Sequence, residues 1–138
     1  MKNIQDILRL ARTKRATDVH IVAGSPVLFR IEGDLQPVTK ESLTPKIAQE
    51  LSLTLLSPEQ VQEFEQSLDF DFMAVDADRN RYRVNVSYND SAIGSVLRLL
   101  PREPMTLEAI RLPEIVGKMA RARKGLILIT GSTSQGKS

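Results

Sequence analysis

Cysteine is absent from these 138 residues, and histidine occurs once. No disulfide framework can form, and a zinc site, which draws on Cys and His ligands, is disfavoured. Aromatic residues make up only 4%. That scarcity, with no cysteine ligand, argues against a haem or flavin pocket. The net charge is only +2, and there is no basic, aromatic-interleaved surface of the kind that grips nucleic acid. No apolar run reaches the ~18 residues that suggest a membrane span, so direct insertion is not expected. The N-terminus, MKNIQDILRLARTKR, lacks the long apolar core and small-residue cleavage site of a secretory signal. What is present is an ordinary balance of 41% apolar and 26% charged residues. It fits a folded globular chain, not a disordered tail or a coiled rod.

Local signals along the chain are clear. Asn3 is a good N-cap, and Ile4, Ile7, Leu8 and Ala11 follow it at helical spacing, which predicts a packed helix with a solvated basic face. Residues 18–23 alternate: Val19, Ile21 and Ala23 share one strand face, and Asp18, His20 and Val22 share the other. Residues 27–31 form the next strand, Glu32-Gly33-Asp34 a hairpin turn, and residues 35–38 the return. Thr44-Pro45 and Ser57-Pro58 each place a cap before a proline at the first helical position. Gln60, three residues after Ser57, completes a capping box. Ile47, Leu51 and Leu55 form the apolar stripe of the first of these helices, and Val61, Phe64 and Leu68 that of the second.

Three strands follow, over residues 69–75, 79–88 and 92–100. The middle one puts Tyr82, Val84, Val86 and Tyr88 on one face and Arg81, Arg83, Asn85 and Ser87 on the other. Short connections predict an antiparallel meander. Pro101 and Pro104 mark a boundary, since neither continues a ladder. Thr106 caps a short turn. Pro113 opens a helix carrying Ile115, Val116 and Met119, with a basic end at residues 118–124. Gly125 stops it, and residues 125–130 form a final buried strand. The fold class expected is therefore α+β with a mainly antiparallel sheet. Residues 1–100 form one domain, 101–124 a linker, and 125–138 the start of another.

The richest motif comes last. Gly131, Ser132, Thr133, Ser134, Gln135, Gly136, Lys137 and Ser138 fit the Walker A phosphate loop, which follows a strand and opens a helix. Successive backbone N–H groups in such a turn cradle phosphates. Lys137 would reach the β- and γ-phosphates, and the Ser138 hydroxyl would bind Mg²⁺. Ser134 and Gln135 stand where many such loops have small residues or glycine. No helix follows Ser138 in this sequence to hold the loop's curl. Other clusters are weaker. Arg83 and Arg98 would leave the same sheet face if their strands pair, and two guanidinium groups would clamp a phosphate; on the residues alone, solvated or salt-bridged arginines are the simpler reading. Asp76, Asp78 and Asn80 fail the calcium-loop pattern at its glycine and glutamate positions. Asp69 and Asp71 read as solvated acids, and His20 as a structural hydrogen-bond partner of Asp18.

Four stretches, ATDVHIVAGSPVLFRIEGDL, RYRVNVSY, SVLRLLP and KGLILITGSTSQGKS, occur in this order and span nearly the whole chain. Together they resemble the secretion-type ATPases that power type IV pili, nearest to the PilT-like retraction ATPases. The resemblance implies a PAS-like N-terminal lobe over residues 1–100, the linker, and the first strand and loop of a RecA-like ATPase lobe. It implies ATP and Mg²⁺ as cofactors of the full enzyme and a cytoplasmic homo-hexamer peripheral at the inner-membrane pilus base. A pilus platform protein would be its partner. ATP hydrolysis would drive pilin removal, and so pilus retraction and twitching motility. In such a ring Arg83 and Arg98 would face the γ-phosphate in an arginine-finger role. Assembly and type II secretion ATPases are the alternative within the superfamily; they usually carry an extra N-terminal domain. A PAS-like ligand-binding or interaction module is the alternative outside it. The catalytic glutamate, second Walker motif and histidine box of the family have no counterpart here. The 138 residues alone are thus expected not to hydrolyse ATP, and to be monomeric or weakly associated.

Overall fold

The structure, a computed structural model, describes residues 3–89, 92–101 and 106–131. The chain divides into two compact units, Met1–Arg102 and Glu103–Ser138.

The first unit holds helix α1 (Ile4–Thr13), strands β1 (Asp18–Ile21), β2 (Leu28–Ile31) and β3 (Asp34–Pro37), helices α2 (Pro45–Leu53) and α3 (Pro58–Ser67), and strands β4 (Asp69–Val75), β5 (Arg81–Asn89) and β6 (Ala92–Leu99). The six strands form one sheet in the order β3-β2-β1-β6-β5-β4, and every pairing in it is antiparallel. The expected α+β class with an antiparallel sheet is thus observed. Two consecutive meanders, β1-β2-β3 and β4-β5-β6, are joined by the long-range β1–β6 ladder.

The helices start where their caps dictate. Asn3 accepts from the Gln5 N–H, Thr44 from the Ile47 N–H, and Ser57 with Gln60 forms the full capping box. Between β2 and β3 the two-residue loop Glu32-Gly33 has φ of 52° and 96°. Positive φ at both central residues is the type I′ geometry that matches strand twist, and glycine adopts it freely. Gly94 answers a different need. A Cβ there would lie 2.7 Å from the Ile21 carbonyl oxygen, so only glycine lets β6 pass that close to the end of β1.

The core lies on one face of the sheet. Ile7, Leu8 and Ala11 of α1, Ala48 and Leu51 of α2 and Phe64 of α3 pack against Val19, Ile21, Phe29, Tyr82, Val84, Val86 and Leu97. One polar contact crosses this layer: the Ser52 hydroxyl of α2 donates to the Ser95 hydroxyl of β6 at 2.9 Å, both buried, so neither is left unsatisfied. At one end of the sheet the Arg12 guanidinium donates to the carbonyls of Leu100 (2.8 Å) and Arg81 (3.0 Å) and lies 5.0 Å from the Tyr82 ring centroid. Asp76 closes the β4–β5 turn, accepting from the Asn80 N–H and side chain and from the Tyr82 hydroxyl at 2.6 Å. Arg79 in that turn has φ of 60°, so β5 begins at Arg81, two residues later than expected.

The second unit contains the turn at residues 106–111 and helix α4 (Glu114–Ala120). Thr106 caps the turn, accepting from the Ala109 N–H at 3.2 Å. The strand expected over residues 125–130 is not present. Leu126, Leu128 and Ile129 are 82%, 73% and 68% exposed, and no ladder is formed there. An apolar run becomes a strand only when another strand pairs with it and a layer covers it, and neither is supplied among the described residues.

Candidate functional site

Alternation decides what the opposite face of the sheet carries. On β1, β2, β5 and β6 the residues between the core positions are Asp18, His20, Leu28, Arg30, Arg83, Asn85, Val96 and Arg98. Register then aligns them across strands. Arg30 stands opposite Asp18, Asp18 opposite Arg98, and Arg98 opposite Arg83. The two arginines singled out in the sequence are therefore direct cross-strand neighbours, fifteen residues apart in the chain, and line one shallow groove with Asp18, Asp71, Asn85 and Val96.

Two guanidinium groups directly opposite each other repel, and such pairs destabilise a sheet. Acids on their flanks offset this. The Asp18 carboxylate, only 7% exposed, lies between Arg98 (Oδ1 to Nε, 3.0 Å) and Arg30 (Oδ2 to Nε, 3.3 Å). Thr17 adds a hydroxyl donor to Oδ2 at 2.9 Å. Burial pushes the Asp18 carboxyl upward, but hydrogen bonds from Arg98 and Thr17 and the two positive charges outweigh it. It stays charged below the ordinary carboxylate range. Asp71 on β4 accepts from Arg83 through both oxygens, Nε at 3.2 Å and Nη2 at 2.6 Å. That bond holds the Asp71 carboxyl low and raises Arg83. Arg83 and Arg98 are 62% and 67% exposed, so their free N–H groups meet solvent.

Three expectations change in detail. Asp71 is not a plain solvated acid, because it grips Arg83; Asp69 likewise accepts from the Asn85 amide at 2.7 Å. His20 does not bond Asp18. Its Nε2 is buried without a partner among the described residues, since Asp18 is taken up by Thr17 and the two arginines. Burial, reinforced by Arg30 and opposed by Asp18, lowers the His20 pKa and keeps the ring neutral. Asp18, Arg30 and Asp71, three members of the cluster, were not assigned to it from the sequence. The signal for Asp71 was local, a carboxylate twelve residues from Arg83 across one turn. For Asp18 it was not, because its partner Arg98 is eighty residues away.

Of the phosphate-loop residues only Gly131 is described. Gly131 is exposed in the second unit. Ser132, Thr133, Ser134, Gln135, Gly136, Lys137 and Ser138 lie outside the described residues, and with them the Mg²⁺ ligand expected at Ser138. Among the described residues no group of three or more His, Asp and Glu side chains is placed to hold a metal ion. No helix among them is long and apolar enough to cross a membrane.

Solved structures that share this fold include ATPases. The pilus retraction motor PilT, solved with bound ADP, matches with a TM-score of 0.86 at 32% identity, over 98% of this chain and 40% of its own. The ATPase DotB of Legionella pneumophila matches with a TM-score of 0.77 at 26% identity, over 97% of this chain and 38% of its own. The type IV pilus ATPase PilU of Pseudomonas aeruginosa is 34% identical over 134 residues, which is 97% of this chain and 35% of PilU. No protein-family model matches. The homologues of this chain are thus type IV pilus ATPases of the PilT and PilU kind, and the chain spans 35% of PilU and 40% of PilT.

Proposed function

We propose that the chain is the N-terminal, PAS-like lobe of a PilT-like motor ATPase. The full protein would work as a cytoplasmic homo-hexamer at the inner-membrane pilus base, docked on a platform protein, and would couple ATP hydrolysis to pilin removal. The observation that carries this reading is the arginine pair. Arg83 and Arg98 sit opposite each other on the sheet face away from the helices, where two guanidinium groups can share one phosphate. ATP would supply the phosphoryl group, and Mg²⁺ would share with the arginines the neutralisation of the charge that develops in the transition state. Arg83 and Arg98 bind and orient that group; the ladder that aligns them is already built in the lobe, so little reorganisation is needed. The loop at residues 131–138 belongs to the nucleotide site of the ATPase lobe. The likeness to PilT with bound ADP supports nucleotide use, and the fit of two exposed guanidinium groups to phosphate supports their role.

The test is ATP turnover by the full-length protein that carries this chain. Arg98→Ala is expected to lower kcat by more than about tenfold, at the low end of what a finger arginine supplies. Unchanged turnover rejects the nucleotide role of the pair.

A further inference from the structure

The two carboxylates beside the arginine pair admit opposite roles. As resident anions they would compete with phosphate for the same guanidinium groups. As anchors they would hold those groups in place. The edge of the guanidinium they use decides between these. An arginine offers a side edge, Nε with one Nη, and an end edge formed by its two Nη groups. Asp71 takes the side edge of Arg83, through Nε at 3.2 Å and Nη2 at 2.6 Å. Asp18 takes Nε of Arg98 at 3.0 Å, and among the described residues no acceptor meets the Nη groups of Arg98. Both acids therefore leave N–H donors of their arginine uncommitted. A phosphate can then be bound without breaking either ion pair.

We infer that Asp71 and Asp18 are positioning residues, which hold Arg83 and Arg98 by their side edges and leave Nη donors of both free to take one phosphate group. This rests on the nucleotide reading of the pair. The strand register fixes the spacing of the two Cα atoms. The carboxylates fix the long side chains beyond them, whose rotamer freedom would otherwise have to be lost on binding. Asp18 is itself fixed by Thr17 and by Arg30, whose Nη1 donates to the Gly33 carbonyl at 2.8 Å. That chain of contacts ties Arg98 to the β2–β3 hairpin.

Charge and positioning predict opposite signs for one substitution. Three arginines against two aspartates leave the cluster at +1, and Asp71→Asn raises it to +2. If the acids compete with phosphate, the variant gains affinity and speed. If they position, it loses rate despite the added charge. In the full-length protein, Asp71→Asn is expected to lower kcat for ATP about tenfold, as displaced catalytic groups do. KM should stay within about twofold, the pattern of an interaction made in the transition state. Asp71→Glu, which keeps a carboxylate, is expected to recover part of the loss. Asp71 is 45% exposed, and solvent-exposed ion pairs contribute little to stability, so the variant should fold; a thermal melt checks this. A kcat equal to or above that of the unmodified protein overturns the inference. Arg83→Ala, measured alongside, separates the two claims. If it loses turnover while Asp71→Asn does not, only the positioning role falls. If it too has no effect, the nucleotide reading falls and this inference with it.

Discussion

The sheet of the first unit carries two unlike faces on the same strands. On β5, Val84 is fully buried while its neighbour Arg83 is largely exposed. On β6, Leu97 and Arg98 show the same contrast. The helix-covered face is built from apolar contacts that fix the backbone. The other face inherits that backbone as a rigid grid and places charges on it at set intervals. The proximity of two arginines, unfavourable by itself, is thus imposed by packing on the far side of the sheet. A helix or a loop could not hold it so firmly, because neither supplies a ladder on both sides of each residue.

Substitutions that separate the two faces sharpen this contrast. The largest effect is expected on the covered face. Phe29 is fully buried, and Phe29→Ala should cost about 3–5 kcal/mol in denaturant unfolding, the range for a large aromatic removed from a core. Asp18→Asn tests the deeply buried charge, alone of its kind among the described residues, on the face away from the helices. It should cost roughly 1.5–3 kcal/mol, the size of hydrogen bonds to charged groups. This loss has a pH signature. The folded carboxyl titrates below its ordinary value of 3.8, so its stabilisation is complete above that value and disappears as pH falls through the depressed one. The gap between the unmodified protein and Asp18→Asn should therefore close at acid pH; a gap that stayed constant would contradict the paired, charged Asp18. The smallest effect is expected for Met73, which is 55% exposed on the same face. Met73→Ala should stay within about 0.5 kcal/mol, and a larger loss would mean that this face is covered in the intact protein.

What the sequence disclosed followed the range of the interactions involved. The caps at Asn3, Thr44 and Ser57 were legible because a cap is settled within four residues. The β5 faces were legible because alternation is local, and the Glu32-Gly33 turn because glycine marks positive φ. Strand order was not, since the β1–β6 ladder joins residues nearly eighty apart and no local pattern encodes it. For the same reason Arg83 and Arg98 were visible as candidates, while the carboxylate between Arg98 and Arg30 was not. Leu126 to Thr130 shows the limit from the other side. Its apolar run is a strand signal, yet strand formation depends on a partner that this segment cannot name.

The Arg12 clasp has a mechanical side. By bonding the carbonyls of Arg81 and Leu100 together, it pins the end of the sheet at the point where the chain leaves β6. That strand is interior, with β1 on one side and β5 on the other. A pull on the chain beyond Pro101 therefore does not unzip an edge one bond at a time. It loads two ladders in shear, behind a guanidinium rivet.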